Sequence, residues 1–145
     1  MFLKELNKKE SVAFINLVSI FADVDNKFAK EEKALLEEYK EELELNASEA
    51  YKMTYDEIVN LIQQSSNRVR MIIYFELVGL ALVDGNYEEE EIDFLEKLAA
   101  ELSISRVKRI AIANYFYNFT DIYNFTTVDA ENNIELLREQ AEILL

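Results

Sequence analysis

The chain has 145 residues, half of them hydrophobic, with two glycines and no proline, cysteine or histidine. A net charge of −14 disfavours nucleic acids and anionic membranes as partners, and the lack of cysteine and histidine excludes disulfides, thiolate metal sites and imidazole ligands. The scarcity of turn-forming residues favours an all-helical fold, and the length is that of a single domain, residues 1–145.

The first half of the chain shows three helical patterns. Asn7 and Glu10 have the spacing of a capping box and predict a helix that runs to about Val24. Its apolar side chains nearly encircle the axis, so we expect it at the centre of the fold. A surface helix is predicted within residues 29–45, and Thr54 with Glu57 predicts the start of a short third helix.

The second half predicts four more helices, which brings the total to about seven in a compact bundle. Residues 68–83 form the most apolar of these helices, but its longest apolar run, Met71 to Val83, is interrupted by Glu76 and is shorter than the roughly 20 residues that span a bilayer. We expect Glu76 to make a structural ion pair or hydrogen bond with a partner such as Arg68, Arg70 or a tyrosine hydroxyl, and a functional acid is the alternative. The other three helices are predicted over residues 88–102, from Ser105 to about residue 125, and from Asp129 onward.

No apolar stretch of signal-peptide length occurs in the opening residues, MFLKELNKKES. Together with the absence of a spanning helix, this predicts a cytoplasmic protein with no membrane insertion.

Two segments of the chain, residues 14–45 and 73–104, are similar to each other. At an offset of 59 positions, FADVDNKFAKEEKALLEEYKEEL aligns with LALVDGNYEEEEIDFLEKLAAEL, with nine identical residues. Each copy predicts a buried helix, an aspartate turn and an amphipathic helix that begins with glutamates. We therefore expect two helical hairpins related by a pseudo-twofold axis.

These hairpins resemble the TerB-like family, named for tellurite resistance. INLVSIFADVDNKFAKEEKALLEEY is similar to the first motif of the family, and FELVGLALVDGNYEEEEIDFLEKLAAELSI to the second. The resemblance implies a compact, all-helical, cytoplasmic bacterial domain with affinity for divalent cations, an association with stress-response operons and no established catalysis. The first motif departs from the pattern, since Asn26 stands where the second has Gly85.

The acidic turns supply the candidate metal ligands. The second turn fits the second half of an EF-hand loop, but Leu80 and Leu82 occupy ligand positions in the first half, and in the first turn Phe21 occupies a ligand position, so neither turn is a true EF-hand. Acidic residues in a first helical turn also stabilise the helix dipole without any metal. Hard oxygen ligands favour Ca²⁺ if a cation binds, and no organic cofactor is expected. The candidate ligands are Asp25, Glu32, Asp84, Glu88 and Glu91.

Six aromatic residues lie between positions 115 and 125, too many for one helical face. They indicate core packing or a partner-docking surface, with Tyr117 and Tyr123 as the candidate partner-binding residues. Basic residues also cluster near two helix starts, where they either pair with glutamates or bind an acidic partner. This cluster comprises Arg68, Arg70, Arg106, Lys108 and Arg109.

Two functions follow from these features. The first is a non-enzymatic, TerB-like accessory domain of a stress-response system that binds divalent cations weakly and acts through a protein partner. The alternative is an adaptor that docks a helical protein through its aromatic C-terminal region, with no metal role. Both functions are compatible with a homodimer, and neither assigns a catalytic residue.

Overall fold

The computed structural model describes residues 2–24, 32–46, 51–83, 89–122 and 137–145, and all regular structure in these ranges is helical. This confirms the all-α prediction. Residues 137–145, most of them helical, are called the C-terminal segment below. The elements before it are a short 3-10 helix, Leu3–Glu5, and six α-helices: α1 Lys8–Val24, α2 Glu32–Glu42, α3 Tyr55–Gln63, α4 Asn67–Val83, α5 Glu89–Glu101 and α6 Arg106–Ile122.

The structure contains the helix starts expected from capping residues. The backbone N–H of Asn7 donates to Glu10 Oε1 at 3.0 Å, and the Glu10 N–H donates to Asn7 Oδ1 at 2.9 Å. Thr54 and Glu57 form the same reciprocal arrangement at the start of α3, and Ser105 Oγ caps α6. These side chains satisfy backbone N–H groups that have no partner within the helix. The start expected at Asp129 lies outside the described residues.

The core forms around α1 and α4. Helix α1 lies against α2, α3 and α5, and α4 lies against α3, α5, α6 and the 3-10 helix. Asn16 of α1 binds the connector that precedes α3: its side-chain amide donates to the Tyr51 carbonyl and accepts from the Met53 N–H, each at 2.9 Å. None of the helices in the described ranges is long and apolar enough to cross a membrane.

The two hairpin segments match in their described elements. Helix α4 occupies the positions of α1 shifted by 59, and α2 and α5 also end 59 positions apart. Beyond these ends, Glu44 and Ser103 both adopt left-handed backbone conformations, with φ of 56° and 59°. The next N–H groups, of Leu45 and Ile104, donate back to the carbonyls five residues earlier at 2.8 and 2.9 Å. Both helices therefore close with a Schellman motif. The pseudo-twofold axis remains a prediction.

Polar contacts join the two ends of the chain to α4. Arg68 binds Glu5 through two N–H groups at 2.7 and 2.9 Å, and a third nitrogen lies 2.7 Å from Glu142 of the C-terminal segment. Glu76 accepts a hydrogen bond from the Phe2 backbone N–H at 3.2 Å. Glu76 thus has a structural hydrogen bond, although Phe2 was not among the partners that the sequence suggested.

Candidate functional site

The structure tests the five candidate metal ligands only in part. Asp25, Asp84 and Glu88 lie outside the described residues, and Glu32 begins α2 with its side chain outside the description. Glu91, in the first turn of α5, is 2% exposed. Within the described part of the chain, no three acidic side chains come together in an arrangement that could hold a metal ion.

The inner side of α6 is fixed in the core by aromatic packing. The ring of Phe116 lies 4.7 Å from that of Phe75 on α4, and the ring of Tyr115 lies 5.3 Å from it. The approach is close at Gly79, where an added Cβ would stand 2.8 Å from Cζ of Phe116. A side chain at position 79 would displace that ring, so glycine is what allows α4 and α6 to pack this closely.

The C-terminal segment covers a second side of α6. The hydroxyl of Tyr115 donates to the Leu137 carbonyl at 3.0 Å, and the Lys108 ammonium donates to the Leu144 carbonyl at 2.7 Å. The segment therefore runs antiparallel to α6. Burial, with a contribution from the nearby charge of Glu76, raises the pKa of Tyr115 to about 12.

The outer side of α6 is exposed and largely apolar. Val107 is 78% exposed, Ile110 is 52% exposed and Tyr117 is 56% exposed. With Asn114, also exposed, they follow one another at intervals of three, four and three residues, which places them in one row along the helix. We call these four residues the α6 face. A row of large exposed apolar side chains on one side of a helix is typical of an interaction surface.

The basic residues at the start of α6 have different surroundings. Arg109 donates from Nε to the Ile104 carbonyl at 3.0 Å and lies 3.5 Å from Glu96. Lys108 binds the Leu144 carbonyl, as described above, and Arg106 is exposed. Pairing with glutamates, expected from the sequence, therefore occurs at Arg109 and also at Arg68.

The structure places one of the two candidate partner-binding residues on the α6 face. Tyr117 belongs to the α6 face, and Tyr123 lies outside the described residues. Val107 and Ile110 were not among the candidate residues predicted from the sequence. Their spacing with Tyr117 was a usable signal, because α6 also has apolar residues on its buried side and two apolar sides on one helix indicate a second contact surface.

A pocket of about 430 Å³ lies where the start of α1 meets the end of α2. Its lining includes Lys4, Lys8, Glu42 and Glu44. Two positive and two negative side chains give the pocket little net charge, so it has no electrostatic preference for an anion or a cation.

Comparison of the chain with protein-family models, curated proteins and solved structures gave no match. The resemblance to the TerB-like family therefore rests on the residues of the two acidic hairpins. The function which that resemblance implies remains a prediction.

Proposed function

We propose that the protein is a non-enzymatic docking module that binds a helical protein partner through the α6 face. The observation that carries this proposal is a row of three large, exposed apolar side chains, Val107, Ile110 and Tyr117, on a helix whose opposite side is packed in the core. Water contact with such a row is unfavourable, and burial against a partner removes it.

The surroundings of α6 favour binding because they hold the face in place before a partner arrives. Phe116 and Tyr115 pack on α4, and the C-terminal segment is hydrogen-bonded to Lys108 and Tyr115 along a second side of the helix. A preorganised surface loses little conformational entropy on association. The partner therefore bears most of the ordering cost.

The size of the α6 face indicates a weak, reversible complex. Full burial of a large apolar side chain contributes about 2 kcal/mol, so the exposed fractions of the three residues correspond to about 4 kcal/mol in all. Association costs at least that much in lost translational and rotational freedom. Neighbouring contacts must supply the remainder, and Ile143 of the C-terminal segment, 80% exposed, is one candidate.

A matched pair of tyrosines tests the proposal. Tyr117 on the α6 face and Tyr51 in the connector before α3 are 56% and 54% exposed, so replacing either by serine removes a similar apolar area. We expect Tyr117→Ser to abolish capture of specific proteins from the source cells, as measured by quantitative mass spectrometry, whereas Tyr51→Ser retains it. Equal capture by the two variants would contradict the proposal.

Weak binding of divalent cations, within a TerB-like stress-response role, is a second candidate function. The acidic first turn of α5, which contains Glu89, Glu90 and Glu91, favours it, because neighbouring like charges repel one another and a bound cation relieves that repulsion. Binding to the folded state must raise the melting temperature. We expect a calcium-dependent rise that Glu91→Gln removes and that Glu38→Gln, an exposed control on α2, retains. No rise with millimolar calcium would eliminate this candidate.

A further inference from the structure

We infer that the partner of the α6 face is an amphipathic helix with acidic side chains at the end that lies over the start of α6. This inference rests on the docking function proposed above. It adds the chemistry of the partner, which the apolar row by itself does not define.

Charge complementarity at the start of α6 is the first argument. Arg106, Lys108 and Arg109 lie within the first turn, and the helix has no acidic residue before Asp121. The N-terminal end of a helix is itself electropositive, so the cations and the helix dipole add. Glu96 offsets the charge of Arg109, but Arg106 is exposed and, together with Lys108 and the helix dipole, makes this end of α6 locally positive in a chain with a net charge of −14. Acidic side chains on a partner would neutralise this field.

The spacing of the α6 face is the second argument. Intervals of three, four and three residues are those of a helix seam, in which side chains of one helix fit between those of another. Asn114 interrupts the row between Ile110 and Tyr117. A buried amide needs hydrogen-bond partners, so the partner helix should carry a polar side chain at the level of Asn114.

A second copy of this chain fits the α6 face less well. Parallel pairing would align Asn114 with its equivalent but would bring the electropositive starts of the two α6 helices together, which is repulsive. Antiparallel pairing would separate the cations but would place Ile110 opposite Asn114. An anionic membrane is disfavoured by the net charge of −14.

Two designed helical peptides test the inference. Both carry an apolar row at intervals of three and four residues with one central asparagine, and they differ only in having glutamates or lysines at one end. We expect the acidic peptide to bind at least about tenfold more tightly in fluorescence anisotropy at low salt, and added salt to reduce the difference. Arg106→Glu, a change at an exposed position, should weaken binding of the acidic peptide and strengthen binding of the basic peptide.

Other results would overturn the inference in distinguishable ways. If both peptides bind equally and Ile110→Asp abolishes both interactions, the docking function stands but the acidic chemistry is wrong. If neither peptide binds while Tyr117→Ser still loses capture of cellular proteins, the partner is not such a helix. Self-association that Ile110→Asp removes would identify a second copy as the occupant. Cosedimentation with phosphatidylserine-containing vesicles would identify a membrane instead.

Discussion

Gly79 gives a direct test of how α6 is placed on α4. Glycine inside a helix costs about 1 kcal/mol relative to alanine, so Gly79→Ala should stabilise the protein if nothing opposes the new methyl group. Here the added Cβ would lie 2.8 and 2.9 Å from Cζ and Cε1 of Phe116. That ring packs against Phe75 and Tyr115, with centroid distances of 4.7 and 5.0 Å, so moving it aside disrupts both contacts. Overpacking of this kind costs about 1 to 3 kcal/mol.

The overpacking cost exceeds the propensity gain, so we expect Gly79→Ala to lower the free energy of unfolding by about 1 kcal/mol. Phe116→Leu removes the end of the ring that the methyl group would strike. In that background we expect Gly79→Ala to become stabilising by up to about 1 kcal/mol. Chemical denaturation of the four proteins in this double-mutant cycle measures both effects. If Gly79→Ala stabilises the protein that retains Phe116, the described packing of α4 on α6 is incorrect.

Three further results are expected from the polar contacts. The hydrogen bond from Arg68 holds the pKa of Glu5 below its usual value of 4.5, so this contact stabilises the fold above pH 4.5, and the stabilisation is lost as the pH falls through the lowered pKa. In thermal melts, the melting temperature of Glu5→Gln should therefore fall less steeply in acid than that of the parent protein, and an unchanged acid dependence would exclude this contribution. Tyr115→Phe removes the hydrogen bond to Leu137 and should lower the free energy of unfolding by about 1 kcal/mol. Because the pKa of Tyr115 is raised to about 12, the stability due to its neutral hydroxyl should be present below pH 10 and lost as the pH rises through about 12. A mutant as alkali-sensitive as the parent protein would contradict this expectation. Thr54→Ala removes the cap of α3 and should cost about 1 kcal/mol in urea unfolding, whereas an effect near zero would show that the capping box does not stabilise the helix.

The sequence predicted the helix starts well because capping is local. Asn7 with Glu10 and Thr54 with Glu57 each lie three residues apart, and the interacting atoms belong to one turn. The left-handed residues that close α2 and α5 were not predicted. Glycine usually occupies such positions, and here the chain has Glu44 and Ser103.

The outer side of α6 could not be identified from the sequence because exposure depends on distant neighbours. Helix α6 has apolar residues on several sides, and which of them are covered is decided by α4 and by the C-terminal segment, whose Leu137 carbonyl binds Tyr115. The aromatic excess and Tyr117 were therefore evident in the sequence, but the exposure of Val107 and Ile110 was not. The acidic turns, by contrast, were clear in sequence, and Glu91 is the candidate ligand whose side chain the structure describes.

Site-specific photocrosslinking tests most directly the claim that the α6 face is a docking surface. Benzoylphenylalanine replaces Ile110 in one variant and Glu38, exposed on α2, in a control. After irradiation of the source cells, we expect a discrete crosslinked species from position 110 and none from position 38. The same products from both positions, or none from position 110, would contradict the proposed docking function.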